Sequence, residues 1–162
     1  MDLKTEAEAL RRVPMFAKLD PSKLRLLAFT SQLLTFEDAE ILFKQGDPSD
    51  STYLVLLGEM EVLAGSDDDP VVAGVLGANE LVGEMGVLAN APRSATIRAR
   101  GAVQALRIEA DTFLELLAEN PGVALDVMRQ LSGKLARSHK QFEQLQVELH
   151  RLRSARTPGA AC

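Results

Sequence analysis

Two side chains nine positions apart, Glu84 and Arg93, are the residues of this chain best equipped for ligand chemistry. They stand in the run Gly83-Glu84-Met85-Gly86-Val87-Leu88-Ala89-Asn90-Ala91-Pro92-Arg93-Ser94-Ala95-Thr96. An arginine stays charged at all ordinary pH, and its planar fork matches phosphate oxygens two at a time. An ionised glutamate only accepts hydrogen bonds, so it suits a pair of neighbouring hydroxyls. Gly83 opens backbone geometry closed to other residues, and Gly86 allows close approach to the main chain. Met85 to Leu88 fits one helical turn whose outward N–H groups make an anion site. Ser94 adds a hydroxyl beside the arginine. Together these groups suit a phosphate ester with a free hydroxyl next to it. An ordinary surface salt bridge would use the same two residue types, so the residues alone leave both readings open.

The elements that must position this run can be read on either side of it. Thr5 to Val13 has Ala9, Leu10 and Val13 at helical spacing and ends at Pro14. Asp20-Pro21, a capping acid and then proline, opens a second helix with Leu24, Leu27 and Ala28 on one face. From Leu33 the pattern shortens to strands: 33–36 and 41–43 around the turn Glu37-Asp38, then the turn-rich stretch Gln45 to Asp50. Thr52 to Leu57 and Met60 to Leu63, broken at Gly58-Glu59, read as a hairpin. Val71 to Leu76, Ser94 to Ala99 and Val103 to Ile108 add three more strands. Short strands with glycine turns predict an antiparallel double-sheet roll or jelly roll rather than a parallel sheet. Helix returns at Asp111 to Glu119, and Asn120-Pro121 starts a long one reaching about Arg153. The fold class is therefore α+β: an antiparallel β-roll flanked by N-terminal helices and a long C-terminal helix. The expected organisation is a roll with its helices over 1–120, the long helix over 121–153 and a flexible tail over 154–162.

Composition narrows the classes. The 162 residues are 46% hydrophobic with a net charge of -5, which argues against an extended nucleic-acid surface. No apolar run approaches the roughly 20 residues of a membrane helix, and the acidic start is not that of a signal peptide. The one cysteine is Cys162, so no internal disulfide can form. A cytoplasmic location is the expectation. His139 and His150 lack the spacing and neighbours of a metal site, and Asp67-Asp68-Asp69 reads as an acidic hairpin turn. No nucleophile elbow or Walker loop occurs, so no catalytic residue, cofactor or metal is expected.

The run from Gly83 resembles the phosphate-binding cassette of the cyclic nucleotide-binding domain family: Gly-Glu, small or apolar residues, a spacer, then Arg-(Ser/Ala/Thr)-Ala-(Thr/Ser). Gly46 with Tyr53-Leu54-Val55-Leu56-Leu57-Gly58-Glu59-Met60-Glu61-Val62 is similar to the family's upstream glycine and hairpin. The likeness covers roughly Val13 to Arg137. Leu81-Val82 stand where many members carry aromatic residues. The resemblance implies a β-roll that binds cyclic AMP or cyclic GMP. It implies that Arg93 pairs with the cyclic phosphate and that Glu84 accepts from the ribose 2′-hydroxyl. The main chain at Gly83, Met85, Gly86, Ser94 and Ala95 would surround the same groups. Leu76, Arg137 and Phe142 are candidates for base or lid contacts.

In the long helix, Leu131, Leu135, Ser138, Phe142, Leu145, Leu149 and Leu152 alternate in steps of four and three, the seam of a heptad pattern. A parallel homodimer is expected through it, as in the dimer helix of catabolite-activator-type regulators. The leading expectation is a non-enzymatic cyclic nucleotide sensor, with cyclic AMP ahead of cyclic GMP, signalling to an unidentified effector protein. The chain ends soon after that helix, so direct DNA binding is not expected. A structural β-roll subunit that binds no nucleotide, and a truncated transcription factor, are the other readings.

Overall fold

The computed structural model describes residues 3–156, which form five helices, a short 3-10 turn and six strands. Helix α1 is Leu3–Arg11, the turn is Pro14–Phe16 and α2 is Pro21–Thr30. The strands are β1 Gln32–Phe36, β2 Ile41–Phe43, β3 Ser51–Ser66, β4 Asp69–Leu76, β5 Leu81–Val82 and β6 Thr96–Glu109. Helix α3, Glu84–Ala89, lies between β5 and β6, and α4 Ala110–Glu119 and α5 Pro121–Arg156 follow. All strand pairs are antiparallel, with β1-β6-β3-β4 side by side, β2 on β6 and β5 on β3. The expected roll and its flanking helices are all present.

The framework is the pairing of β3 with β6. It runs from Ser51 opposite Glu109 to Leu63 opposite Thr96. Gly58-Glu59 is therefore no hairpin: β3 continues through it, with register shifts between Val55 and Leu57 and between Leu57 and Glu59. Gly58 has φ +89°, and a Cβ there would overlap the carbonyl oxygen of Ala102. On the opposite strand, Arg100-Gly101-Ala102 likewise lies inside β6 rather than between two strands. Extra residues on paired strands bend the sheet and sharpen its twist. A glycine break in a β-rich run thus marks a bend in one long strand. The two-residue turn Asp67-Asp68, between paired Ser66 and Asp69, is the hairpin that the chain does make.

Inside the roll, Tyr53, Val55, Met60, Leu76, Val82, Ile97, Ala99, Val103 and Ala105 form one buried cluster, with Phe43 and Leu42 packed at its margin. Leu54, Leu106 and Ile108 on the other face are buried as well, where α4 packs on β3 and β6. Asp20 occupies the cap position of α2, but its side chain makes no capping hydrogen bond. The start there rests on Pro21, whose fixed φ suits a first helical turn.

The chain divides into two compact units, one ending at Asp126 and one from Val127 onward, so the boundary lies inside α5. Helix α5 spans 36 residues and reaches Arg156, taking in part of the stretch expected as tail; residues 157–162 lie outside the described part. Along it Leu135, Phe142, Leu145, Leu149 and Leu152 are all exposed. None of the helices among the described residues is long and apolar enough to cross a membrane.

Candidate functional site

Strand β5 delivers the chain to Gly83. Its pairing sets Tyr53 opposite Val82 and Leu54 opposite Leu81, while the Thr52 hydroxyl donates to the Val82 carbonyl at 3.2 Å. Gly83 then turns left-handed, with φ +82°, and caps α3. A Cβ at this position would overlap Nη1 of Arg93, so glycine is required twice over, for its backbone angle and for room. Helix α3 ends at Asn90, also left-handed, whose N–H and that of Ala91 return to the Gly86 carbonyl. The Ser49 hydroxyl donates to the Ala91 carbonyl at 2.6 Å and fills the space where a Gly86 side chain would be. The close approach that Gly86 permits is made by Ser49.

The second strut is the turn before β3. The Gly46 N–H donates to the Arg93 carbonyl at 2.9 Å, and the Arg93 N–H donates to the Asp47 carbonyl at 2.8 Å. The Gln45 N–H donates to the Thr96 hydroxyl at 2.9 Å. Arg93 is thereby fixed at its backbone before its side chain makes any contact.

That side chain is almost fully buried, 4% exposed as a residue. Nη1 donates to the Gly83 carbonyl at 2.9 Å and Nη2 to the Ser51 hydroxyl at 3.2 Å. Its guanidinium carbon lies 4.1 Å from the centre of the Phe43 ring. Nε is buried with no hydrogen-bond partner. The nearest countercharge is Asp50, 3.6 Å from Nη2 and largely exposed, and Asp50 also faces Arg107 at 3.5 Å. Burial pushes the Arg93 pKa below its ordinary value, while the fields of Tyr53 and Asp50 pull it back up and that of Arg107 lowers it further. A desolvated cation whose nearest acid is wet and shared is poised to receive an anion.

Glu84 opens α3 and is 1% exposed. Gly83, Glu84 and Arg93 are thus brought into one corner of the roll. Met85 is exposed on the same helix, and Ser94 and Ala95 follow Arg93 with Ser94 exposed. Leu76 ends β4 within the buried cluster of the roll. Arg137 and Phe142 lie on α5 in the second unit, and both are exposed there. Three side-chain partners of Arg93 have no counterpart in the motif: Phe43, Asp50 and Ser51. The turn composition of 45–50 marked a loop, but strand pairing across the sheet is what sets that loop beside Arg93. Among the described residues no group of three His, Cys, Asp or Glu is arranged to hold a metal ion.

Comparison with known proteins agrees with this fold. The family model for the cyclic nucleotide-binding domain matches residues 33–120, more than half of the chain. An NTE family protein of Mycobacterium tuberculosis is 32% identical over 130 residues, which cover 80% of this chain and 22% of that protein. The cAMP-dependent protein kinase regulatory subunit of Emericella nidulans is 31% identical over 121 residues, 75% of this chain and 28% of the subunit. Among solved structures, a cAMP-binding acyltransferase from Mycobacterium smegmatis superposes with a TM-score of 0.73 at 29% identity, over 83% of this chain and 42% of the other. The chain spans between 22% and 28% of the length of these curated relatives.

Proposed function

The chain belongs to the cyclic nucleotide-binding domain family, and we propose that it is a non-enzymatic sensor of cyclic AMP that signals to an effector protein through α5. The observation that carries this reading is Arg93: a buried guanidinium held beside the left-handed Gly83, whose ion-pair partner Asp50 is exposed and shared with Arg107. A cyclic phosphate supplies one negative charge without a second ionisation, and its oxygens accept from the arginine's remaining N–H groups. Glu84, at the head of α3, accepts from the ribose 2′-hydroxyl. The first N–H groups of α3, at Met85 and Gly86, have no acceptor within the helix. With the main chain at Gly83, Ser94 and Ala95 and the Ser94 hydroxyl, they complete the enclosure of phosphate and ribose.

Cyclic AMP is preferred over cyclic GMP for two reasons. The run Arg93-Ser94-Ala95 is similar to bacterial members that use cyclic AMP, and two of the relatives above carry cAMP in their names. Leu76, at the end of β4, walls the base side of the site in this reading. The exposed seam of α5 is the means of output. Two copies pair in parallel through Leu135, Phe142, Leu145, Leu149 and Leu152, which sets Ser138 opposite its own copy. The location in this reading is cytoplasmic.

A melting-temperature panel tests the proposal. A ligand present at about a hundred times its Kd stabilises by about 2.7 kcal/mol. Cyclic AMP therefore raises the melting temperature of the wild type by several degrees and that of Arg93→Ala by markedly less. No shift for the folded wild type at millimolar cyclic AMP and cyclic GMP would instead favour a structural roll that binds no nucleotide.

A further inference from the structure

Arg93 reaches its place with surprisingly little hydrogen bonding. Its hydrogen bonds leave from Nη1 and Nη2, to Gly83 and Ser51, and Nε, the atom nearest the chain, is buried without a partner. Asp50 at 3.6 Å is too far for a hydrogen bond. Two contacts at the tip leave the plane of the fork free to tilt about the line joining them, and a phosphate read by two parallel N–H groups needs that plane fixed. What fixes it is an aromatic face.

We infer that Phe43 is a positioning residue for ligand capture, its ring being the platform that sets the plane of the Arg93 guanidinium; this rests on the cyclic nucleotide reading above. The guanidinium carbon stands 4.1 Å from the ring centre. Gly83 lies beside both groups: a Cβ there would overlap Nη1 and come within 3.1 Å of Phe43 Cε2. The guanidinium lies over the ring, and the glycine backbone closes tightly against the edge of both. The ring is held in its turn. Phe43 packs at the margin of the buried cluster and meets Tyr53 at 6.1 Å between ring centres, tilted by 41°. Its strand β2 pairs with β6 so that Phe43 lies opposite Ile97, four residues beyond Arg93. Platform and arginine are thus indexed by the same strand. An aliphatic side chain here would fill the margin of the core equally well, but it has no negative face to hold a desolvated cation.

A double-mutant cycle separates aiming from filling. Cyclic AMP is titrated calorimetrically into the wild type, Phe43→Leu, Arg93→Ala and the double variant, and the thermal unfolding of each ligand-free protein is followed alongside. A cation–π contact at a partly desolvated site predicts that Phe43→Leu weakens binding by about tenfold. The same change costs less than about twofold once Arg93 is alanine. Equal factors in both backgrounds, or unchanged affinity in Phe43→Leu, overturn the inference. A second readout needs no ligand: in NMR spectra of the ligand-free protein, the Arg93 side-chain protons over the ring are displaced upfield, and Phe43→Leu abolishes that displacement. Absence of the displacement in the wild type also overturns it. Should the wild type bind no cyclic AMP while the displacement is present, the ligand reading fails and the platform stands.

Discussion

Arg93 concentrates the energetics of the site in one side chain. Losing a charge-assisted contact of this kind costs about 1.5–3 kcal/mol, which is roughly one to two decades of affinity. Arg93→Ala is expected to weaken cyclic AMP binding at least about tenfold. Gly83 carries a different burden. Its φ of +82° and its contact with Arg93 mean that Gly83→Ala must strain the backbone and displace the guanidinium together. A left-handed residue with a side chain costs about 1–2 kcal/mol, and each kcal/mol lowers the melting temperature of a chain this long by about 2–4 °C. The expected outcome in a thermal scan and a parallel titration is a loss of both stability and affinity. Gly83, Glu84 and Arg93 were legible in the sequence because they sit in one short run whose spacing survives folding. Phe43, Asp50 and Ser51 were not, because they reach Arg93 only through the pairing of β2 with β6 and of β3 with β5. No local pattern encodes a contact made across a sheet.

At the scale of elements, the β3–β6 ladder governs where the site sits, and it is also where reading by pattern stopped short. Glycine at 58 and at 101 marks bends inside long strands, each with positive φ, rather than ends of strands. The signal for both outcomes is the same, and only the partner strand distinguishes them. The ladder carries an ion cluster as well. Glu61 accepts from Arg98 at 3.0 Å and from Arg100 at 3.1 Å. Burial alone would raise the Glu61 pKa, but the hydrogen bonds and charges of the two arginines hold it below its ordinary 4.5. A carboxylate with a depressed folded pKa contributes stability that is present above the unfolded value and lost as pH falls through the folded one. Stability is therefore predicted to drop on acidification below about pH 4.5, and Glu61→Gln to flatten that drop. Denaturant titrations at stepped pH check this; an unchanged slope in the variant would place the acid sensitivity elsewhere. Helix α5 was legible almost to its end, since the periodicity of a helix is local. The proposed pairing through α5 predicts a dimer in sedimentation velocity for the wild type and a monomer once Leu145 and Leu149 are replaced by glutamate, with the roll still folded.

For the whole molecule, the arrangement places a desolvated cation, a buried carboxylate at Glu84 and a short helix in one corner of a roll that other members of the family share. The roll was legible as an architecture because alternating short apolar runs with turn chemistry admit few other solutions. The central claim is that this corner holds a cyclic nucleotide through Arg93. Calorimetric titration of cyclic AMP into the wild type and into Arg93→Ala, both shown folded by thermal unfolding, tests it most directly. Saturable binding at one site per chain is expected in the wild type, with an affinity at least about tenfold lower in the variant. A flat titration of the folded wild type at millimolar ligand, or equal affinity in both proteins, would contradict it.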